Sequence, residues 1–312
     1  MIRETREIAM LYQLKKGEMK PVETIDPEDA GSVVSVLSLE EAPGVLSKYI
    51  SAGTLTRIFE NTSMRYESYE DFDLLCVPFF HFSHQLKNSP YVTIFLQKNN
   101  LCFVCEKTGN VERLIEDFIK TNQNDITIGK LICAFFEFIL KDDLSELDGI
   151  ELRISGLEDR VLTDKQENFT KEIIGQRKHL MGIMNYYEQL LDILEYVGMN
   201  QKHALGSRSV HYVTILHGKT DRLYDKVKGL REYVSEIREA YQAEVDIRMN
   251  NIMKILTIVT MIFMPLTLIV GWYGMNLRMP EYNSLIAYPL VILFSVFVAV
   301  FCIVFFKKQK WF

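Results

Sequence analysis

Two uncharged apolar runs lie back to back near the C-terminus, and they constrain this chain more than anything else in it. Residues 255–275 read ILTIVTMIFMPLTLIVGWYGM and residues 285–306 read LIAYPLVILFSVFVAVFCIVFF. Each reaches the roughly 20 residues a helix needs to cross the hydrocarbon of a bilayer. Pro265 and Pro289 fall inside them, which membrane helices tolerate when neighbouring groups satisfy the freed carbonyls. Trp272, Tyr273, Tyr282 and Tyr288 gather at one end as an aromatic belt, and Trp311 stands at the other. Arg248 and Lys254 precede the first run, Lys307, Lys308 and Lys310 follow the second, and Arg278 and Glu281 cancel between them. The positive-inside rule therefore predicts a multi-pass protein of a cell (inner) membrane, with both termini cytoplasmic and residues 277–284 forming a short external loop.

Charge divides the chain in the same place. Residues 251–312 carry +4 against −6 for all 312 residues, which leaves −10 on residues 1–250. An acidic surface repels phosphate, so no nucleic-acid partner is expected. The five cysteines are few and irregularly spaced, as in a reduced compartment. The polar, mixed-charge start Met1-Ile2-Arg3-Glu4 does not read as a signal or transit peptide.

The remaining pattern predicts an α+β cytoplasmic domain, a long stalk helix and two C-terminal transmembrane helices. Residues 1–125 alternate short apolar runs with turns. Strands are expected at 7–13, 32–38, 73–80, 91–97 and 101–106, with a hairpin at Lys98-Asn99-Asn100 and helices near 40–60 and 110–121. Pro78 suggests an edge strand or a bulge. Residues 126–207 read as a helical hairpin, 126–162 and 164–198, capped at Thr163-Asp164. Residues 208–276 read as one stalk helix running into the first span at about 252–275, with an apolar series through Leu216, Leu223, Val227, Leu230, Val234 and Ile237. About 65 residues would make a helix roughly 100 Å long, which needs packing partners to be stable. Residues 285–306 form the second span and 307–312 a basic tail. Two spans per chain cannot enclose water, so several copies around an axis are expected.

Candidate chemistry is sparse. Cys102-x-x-Cys105 has metal or redox spacing, but on a strand the two side chains face opposite sides. His81-x-x-His84 has the same difficulty, and His211 and His217 fall on different faces of a helix. No Walker loop, dinucleotide fingerprint or nucleophile elbow occurs, so no enzyme is expected. Gly274 and Asn276, at the end of the first span, offer neutral oxygens of the kind a loosely binding ion entrance uses. The same two residues also suit an ordinary helix end.

A resemblance decides between these readings. Asn250, Met253-Lys254-x-Leu256-Thr257, Phe263-Met264-Pro265-Leu266-Thr267, Gly271-x-Tyr273-Gly274-Met275-Asn276 and Met279-Pro280-Glu281 resemble the first span and signature of the CorA family of magnesium channels. The basic Phe306-Lys307-Lys308-x-Lys310-Trp311 tail is similar as well, so the strong match covers about 65 residues. The resemblance implies a funnel-shaped homopentamer in a lipid bilayer. It would pass Mg2+, with Co2+ or Ni2+, passively as a hydrated ion. Carried over by position, Gly274, Met275 and Asn276 form the selectivity ring. Asn250, Met253, Leu256, Thr257, Met264, Thr267 and Gly271 line the pore, and Glu281 attracts ions at the entrance. Cytoplasmic Mg2+ would also act as regulatory ligand, with Glu239 matching one acid of that site. Higher on the long helix, near Ile215, no acid stands where a second ligand is expected. Two alternatives stay open: a zinc or other divalent metal transporter of the same superfamily, and a membrane-anchored, non-conducting sensor.

Overall fold

Why the middle of the front domain reads as solid apolar runs is plain from its sheet. The computed structural model describes residues 10–23, 31–61, 63–79, 89–122, 125–163, 169–275 and 286–309. Among these, seven strands form one sheet: β1 (Met10–Lys15), β2 (Glu18–Val22), β3 (Ser32–Ser38), β4 (Arg65–Ser68), β5 (Asp73–Pro78), β6 (Tyr91–Leu96) and β7 (Asn100–Cys105). Their order is β2-β1-β3-β7-β6-β5-β4. Only β3 and β7 pair in parallel; the other neighbours are antiparallel. Strands β5, β6 and β7 are covered on both faces, which selects continuous apolar sequence rather than alternation.

One face carries Leu37, Leu74, Phe95, Cys102 and Val104 against α2 (Ala52–Glu60), which contributes Leu55 and Ile58; α1 (Ala42–Leu46) closes the same cluster. Ser51 caps α2 by accepting the Thr54 amide at 3.3 Å. On the opposite face Phe103 meets Phe135 of α4 (Ile128–Ile139), with ring centroids 5.7 Å apart, and α3 (Gly109–Thr121) lies beside α4.

Three helices complete this part of the chain: α5 (Asp143–Thr163), α6 (Thr170–Met199) and the first half of α7 (Ser207–Tyr273). Val213, Leu216, Thr220, Leu223, Val227, Leu230 and Val234 of α7 are buried at three- and four-residue spacing, the core-facing stripe of an amphipathic helix. Lys226 of α7 pairs with Asp148 of α5 and with Glu151 at 3.1 Å, and the Tyr233 hydroxyl donates to Glu158. Asp143, in the first turn of α5, is only 4% exposed and accepts a hydrogen bond from Tyr187 of α6 at 2.9 Å. Burial pushes its carboxyl up to about 7, opposed by the Tyr187 hydrogen bond and by Lys219.

The chain divides into two units, Met1–Glu236 and Ile237–Phe312. The second holds the rest of α7 and α8 (Ala287–Lys308).

Several sequence expectations need correction. The single helix expected over 126–162 is two, because Leu140 ends α4 and the Asp142 carbonyl accepts the Glu146 amide to start α5. Asp142-Asp143 is the kind of pair that begins a helix. The strands β2 and β4 were not anticipated, being short and polar. The first strand begins at Met10, and residues 7–9 lie outside the described residues. Finally, β5 is an interior strand; Pro78 is tolerated because β4 stops pairing at Cys76, so no neighbour needs its missing N–H. The hairpin at Lys98-Asn99-Asn100 is present, closed by the Gln97 amide donating to the Asn100 carbonyl at 2.8 Å.

Candidate functional site

Within the second unit, α7 presents two unlike faces. Ile258 is buried and Ile262, Pro265 and Ile269 are half-buried, one stripe at helical spacing. Proline at 265 cannot donate to the carbonyl of Met261, four residues earlier. The thiol of Cys302 on α8 reaches that carbonyl at 3.9 Å, a weak partner for an oxygen that would otherwise have none from its own helix.

At about 100° per residue, Met253, Thr260, Met264, Thr267 and Gly271 lie roughly 180–240° around the helix from Ile258. Leu256 and Thr257 flank that stripe, and Asn250 stands at its edge. Met253, Leu256 and Met264 are 53%, 56% and 64% exposed, so this face is uncovered within the chain. Thr260, Met264, Thr267, Gly271 and Met275 line a shallow groove of 810 Å3 along it.

Each threonine on or beside this face donates its proton to its own helix: Thr257 to Met253, Thr260 to Leu256 and Thr267 to Phe263, at 2.7, 2.8 and 2.8 Å. With the proton committed, the outward side of each hydroxyl can only accept. A hydrated cation presents water hydrogens outward, so acceptor-only oxygens are what it needs. A Cβ added to Gly271 would meet nothing within 4 Å, so nothing in this chain requires the glycine there. Gly274 differs: its amide donates to Val270 at 2.8 Å, and a Cβ would lie 3.0 Å from that carbonyl oxygen.

Gly274 and Met275 continue past the end of α7, with the Met275 amide 3.4 Å from the Trp272 carbonyl. Asn276 and Glu281 lie outside the described residues, as do His81 and His84. Glu239 is exposed on α7, and among the described residues no group of three or more His, Cys, Asp or Glu side chains could hold a metal ion. Cys102 and Cys105 alternate on β7, and burial pushes their thiols up to about 11 and about 12. The Cys302–Met261 link was not foreseen; its signal was Pro265 itself, which names the carbonyl that needs a partner.

Both apolar helices expose nearly all of their most apolar stretch, only 6% of each being buried. The family described as CorA-like Mg2+ transporter protein matches residues 56–308. The cobalt/magnesium transport protein CorA of Thermotoga maritima is 28% identical over 252 residues, covering 78% of this chain and 72% of that protein. The magnesium transport protein CorA of Wolinella succinogenes is 28% identical over 247 residues, covering 65% and 76%. Among solved structures, the CorA magnesium transporter of Methanocaldococcus jannaschii superposes with a TM-score of 0.79 at 23% identity, covering 99% of this chain and 100% of that one. At that identity the likeness establishes the fold.

Proposed function

Because the chain belongs to the CorA family of Mg2+ transporters, we propose that it conducts Mg2+, with Co2+ or Ni2+, down the ion's electrochemical gradient through a homopentameric pore in a cell membrane. One observation carries this reading. The face of α7 that bears Met253, Thr260, Met264, Thr267 and Gly271 points away from the stripe around Ile258 and is uncovered in the single chain. Acceptor-only threonine oxygens on such a face suit water more than acyl chains, and copies arranged around an axis would turn these faces inward.

In this reading Gly274, Met275 and Asn276 form the external ring that reads the hydrated ion through neutral oxygens. Magnesium gives up its waters reluctantly, so loose outer-sphere contact lets it enter and leave. Met253, Leu256 and Met264 make apolar constrictions that can close by dewetting. Asn250, Thr257, Thr267 and Gly271 line the path between them, and Glu281 raises the local cation concentration at the mouth. Both termini are cytoplasmic. Cytoplasmic Mg2+ binding between copies at Glu239 favours the closed state, a population shift set by differential affinity. A potential of 100 mV supplies about 4.6 kcal/mol to a doubly charged ion, so no other energy source is required.

The test is ion flux into liposomes holding the purified protein, with Mg2+, Co2+ and Zn2+ compared. Asn276→Ala should abolish Mg2+ entry while leaving the oligomer intact; normal Mg2+ entry in that variant would refute the selectivity assignment.

A further inference from the structure

Strand register gathers a set of polar side chains at one end of the sheet face that α2 covers. Leu37, Leu74, Phe95 and Val104 lie in the cluster under α2, and residues two apart on a strand share a face. Leu39 continues that face from β3, Cys76 from β5, Glu106 from β7, and Thr93, Tyr91 and Ser89 from β6. The Phe79 amide donates to the Pro90 carbonyl at 2.7 Å, so the β5–β6 ladder runs on past the start of β6. With Ile58, Phe59 and Asn61 from the end of α2, these residues line a cavity of 320 Å3. Ligand pockets begin at about 300 Å3.

One atom of the lining stands out. Ser89 is 6% exposed, and its Oγ is the one buried side-chain oxygen or nitrogen that meets no hydrogen-bond partner among the described residues. A desolvated hydroxyl left unpaired is costly, so it calls for a physical reason. The Thr93 hydroxyl, also buried, is 3.8 Å from the Cys76 thiol, a weak partner. Burial raises both the Cys76 thiol and the Tyr91 phenol, so both stay protonated. Glu106 is exposed and is the only charged residue in the lining. Arg65, opposite Cys76 on β4, does not offset it, because its guanidinium is held by Glu67 at 2.8 Å and by the Ile58 carbonyl at 2.9 Å.

We propose that this cavity binds a short aliphatic amine bearing a second polar group, an amino alcohol or a diamine. The ammonium would pair with Glu106 through a charge-assisted bond. The second group would give the Ser89 hydroxyl its missing partner, and the carbon chain would lie along Leu39, Ile58, Phe59 and Pro90. Continuing the β6–β7 register by one step sets Glu106 opposite Tyr91, with Ser89 two residues along, a diagonal of roughly 7–8 Å that about four carbons bridge. A divalent metal ion fits less well, since one carboxylate falls short of the oxygen set it needs. The site belongs to the sheet of the first unit, and its test is independent of ion conduction.

The experiment is calorimetric titration of the full-length protein in phosphatidylcholine nanodiscs, in chelator, with putrescine, with a terminal aminobutanol and with butylamine, which lacks the second group. Putrescine or aminobutanol should bind about tenfold more tightly than butylamine, the worth of one good hydrogen bond, and the tighter of the two identifies the second group. Ser89→Ala should remove that gap and leave butylamine unchanged, while Glu106→Gln should weaken every amine about tenfold. Alanine deletes a hydroxyl that is unpaired without ligand, so ligand-free Ser89→Ala should melt no lower than wild type, which separates lost binding from lost folding. No heat from any amine at ~10 mM, a gap that survives Ser89→Ala, or affinities unchanged in Glu106→Gln overturns the proposal.

Discussion

Replacing Asp143 by asparagine should change how stability depends on pH, with a sign that follows from burial. Asp143 is 4% exposed, and its carboxyl is pushed from an ordinary 3.8 up to about 7 by desolvation, against the Tyr187 hydrogen bond and Lys219. An acid whose folded pKa is raised binds its proton more tightly in the folded state. Its favourable contribution is fully present below the unfolded value and is lost as pH climbs through the folded one. Integrating the linkage between about pH 5 and about pH 8 gives a loss of about 2.5 kcal/mol in the wild type that asparagine does not suffer. For a unit of this size each kcal/mol moves the midpoint by about 2–4 °C. The difference in thermal midpoint, Asp143→Asn minus wild type, should therefore rise by about 5–10 °C between those pH values. Comparing the two proteins at each pH cancels every other titrating group. A difference that stays flat, or that shrinks as pH rises, would show that the carboxyl is not held neutral by its surroundings.

Gly274→Ala places a methyl 3.0 Å from the Val270 carbonyl and should displace the turn after α7. Mg2+ flux into liposomes should drop at least ~10-fold while the oligomer runs unchanged on size exclusion. Cys302→Val leaves the Met261 carbonyl without its thiol partner and should cost about 0.6 kcal/mol, read as a slightly lowered thermal midpoint in detergent; Cys302→Ser, which keeps a donor, should recover it.

Legibility from sequence tracked how much each segment is dictated by its own composition. The strands β5, β6 and β7 and the two apolar helices were readable because burial on both sides, or immersion in lipid, demands unbroken apolar residues, and β3 was readable from its valine-rich run Ser-Val-Val-Ser-Val-Leu-Ser. The α7 stripe from Val213 to Val234 was readable because its spacing repeats. The β2 run Glu-Met-Lys-Pro-Val and the β4 run Arg-Tyr-Glu-Ser were not. They are the outermost strands of the sheet, and their pairing is set by partners rather than by their own residues. The break between α4 and α5 was missed because apolar spacing continues across it, through Leu140 and Leu144, while the backbone does not. The stripe on α7 is legible as a three- and four-residue spacing through positions 253, 257, 260, 264, 267 and 271, and Thr260, Met264, Thr267 and Gly271 line one groove along it. The close approach of α4 and α7, where a Cβ on Gly129 would fall 2.6 Å from the Ser209 hydroxyl oxygen, joins residues 80 positions apart, and no local pattern announces it.

The contrast between the two apolar helices bears most directly on the proposed path. Between Leu290 and Phe305 every exposed residue of α8 is apolar, and its one hydroxyl, on Ser295, is half-buried and donates to Val291 at 2.8 Å. The exposed side of α7 instead mixes methionine with Thr260, Thr267 and Gly271. Were both helices merely bathed in lipid, no physical reason would place back-bonded threonines and a glycine that nothing in the chain requires on one face of only one of them. A carboxylate there would hold a divalent ion too firmly for conduction, and a wholly apolar face would leave a hydrated ion no acceptors. Neutral hydroxyls whose protons are already spent avoid both faults, since they offer water a partner without offering the metal a ligand it must be stripped to reach.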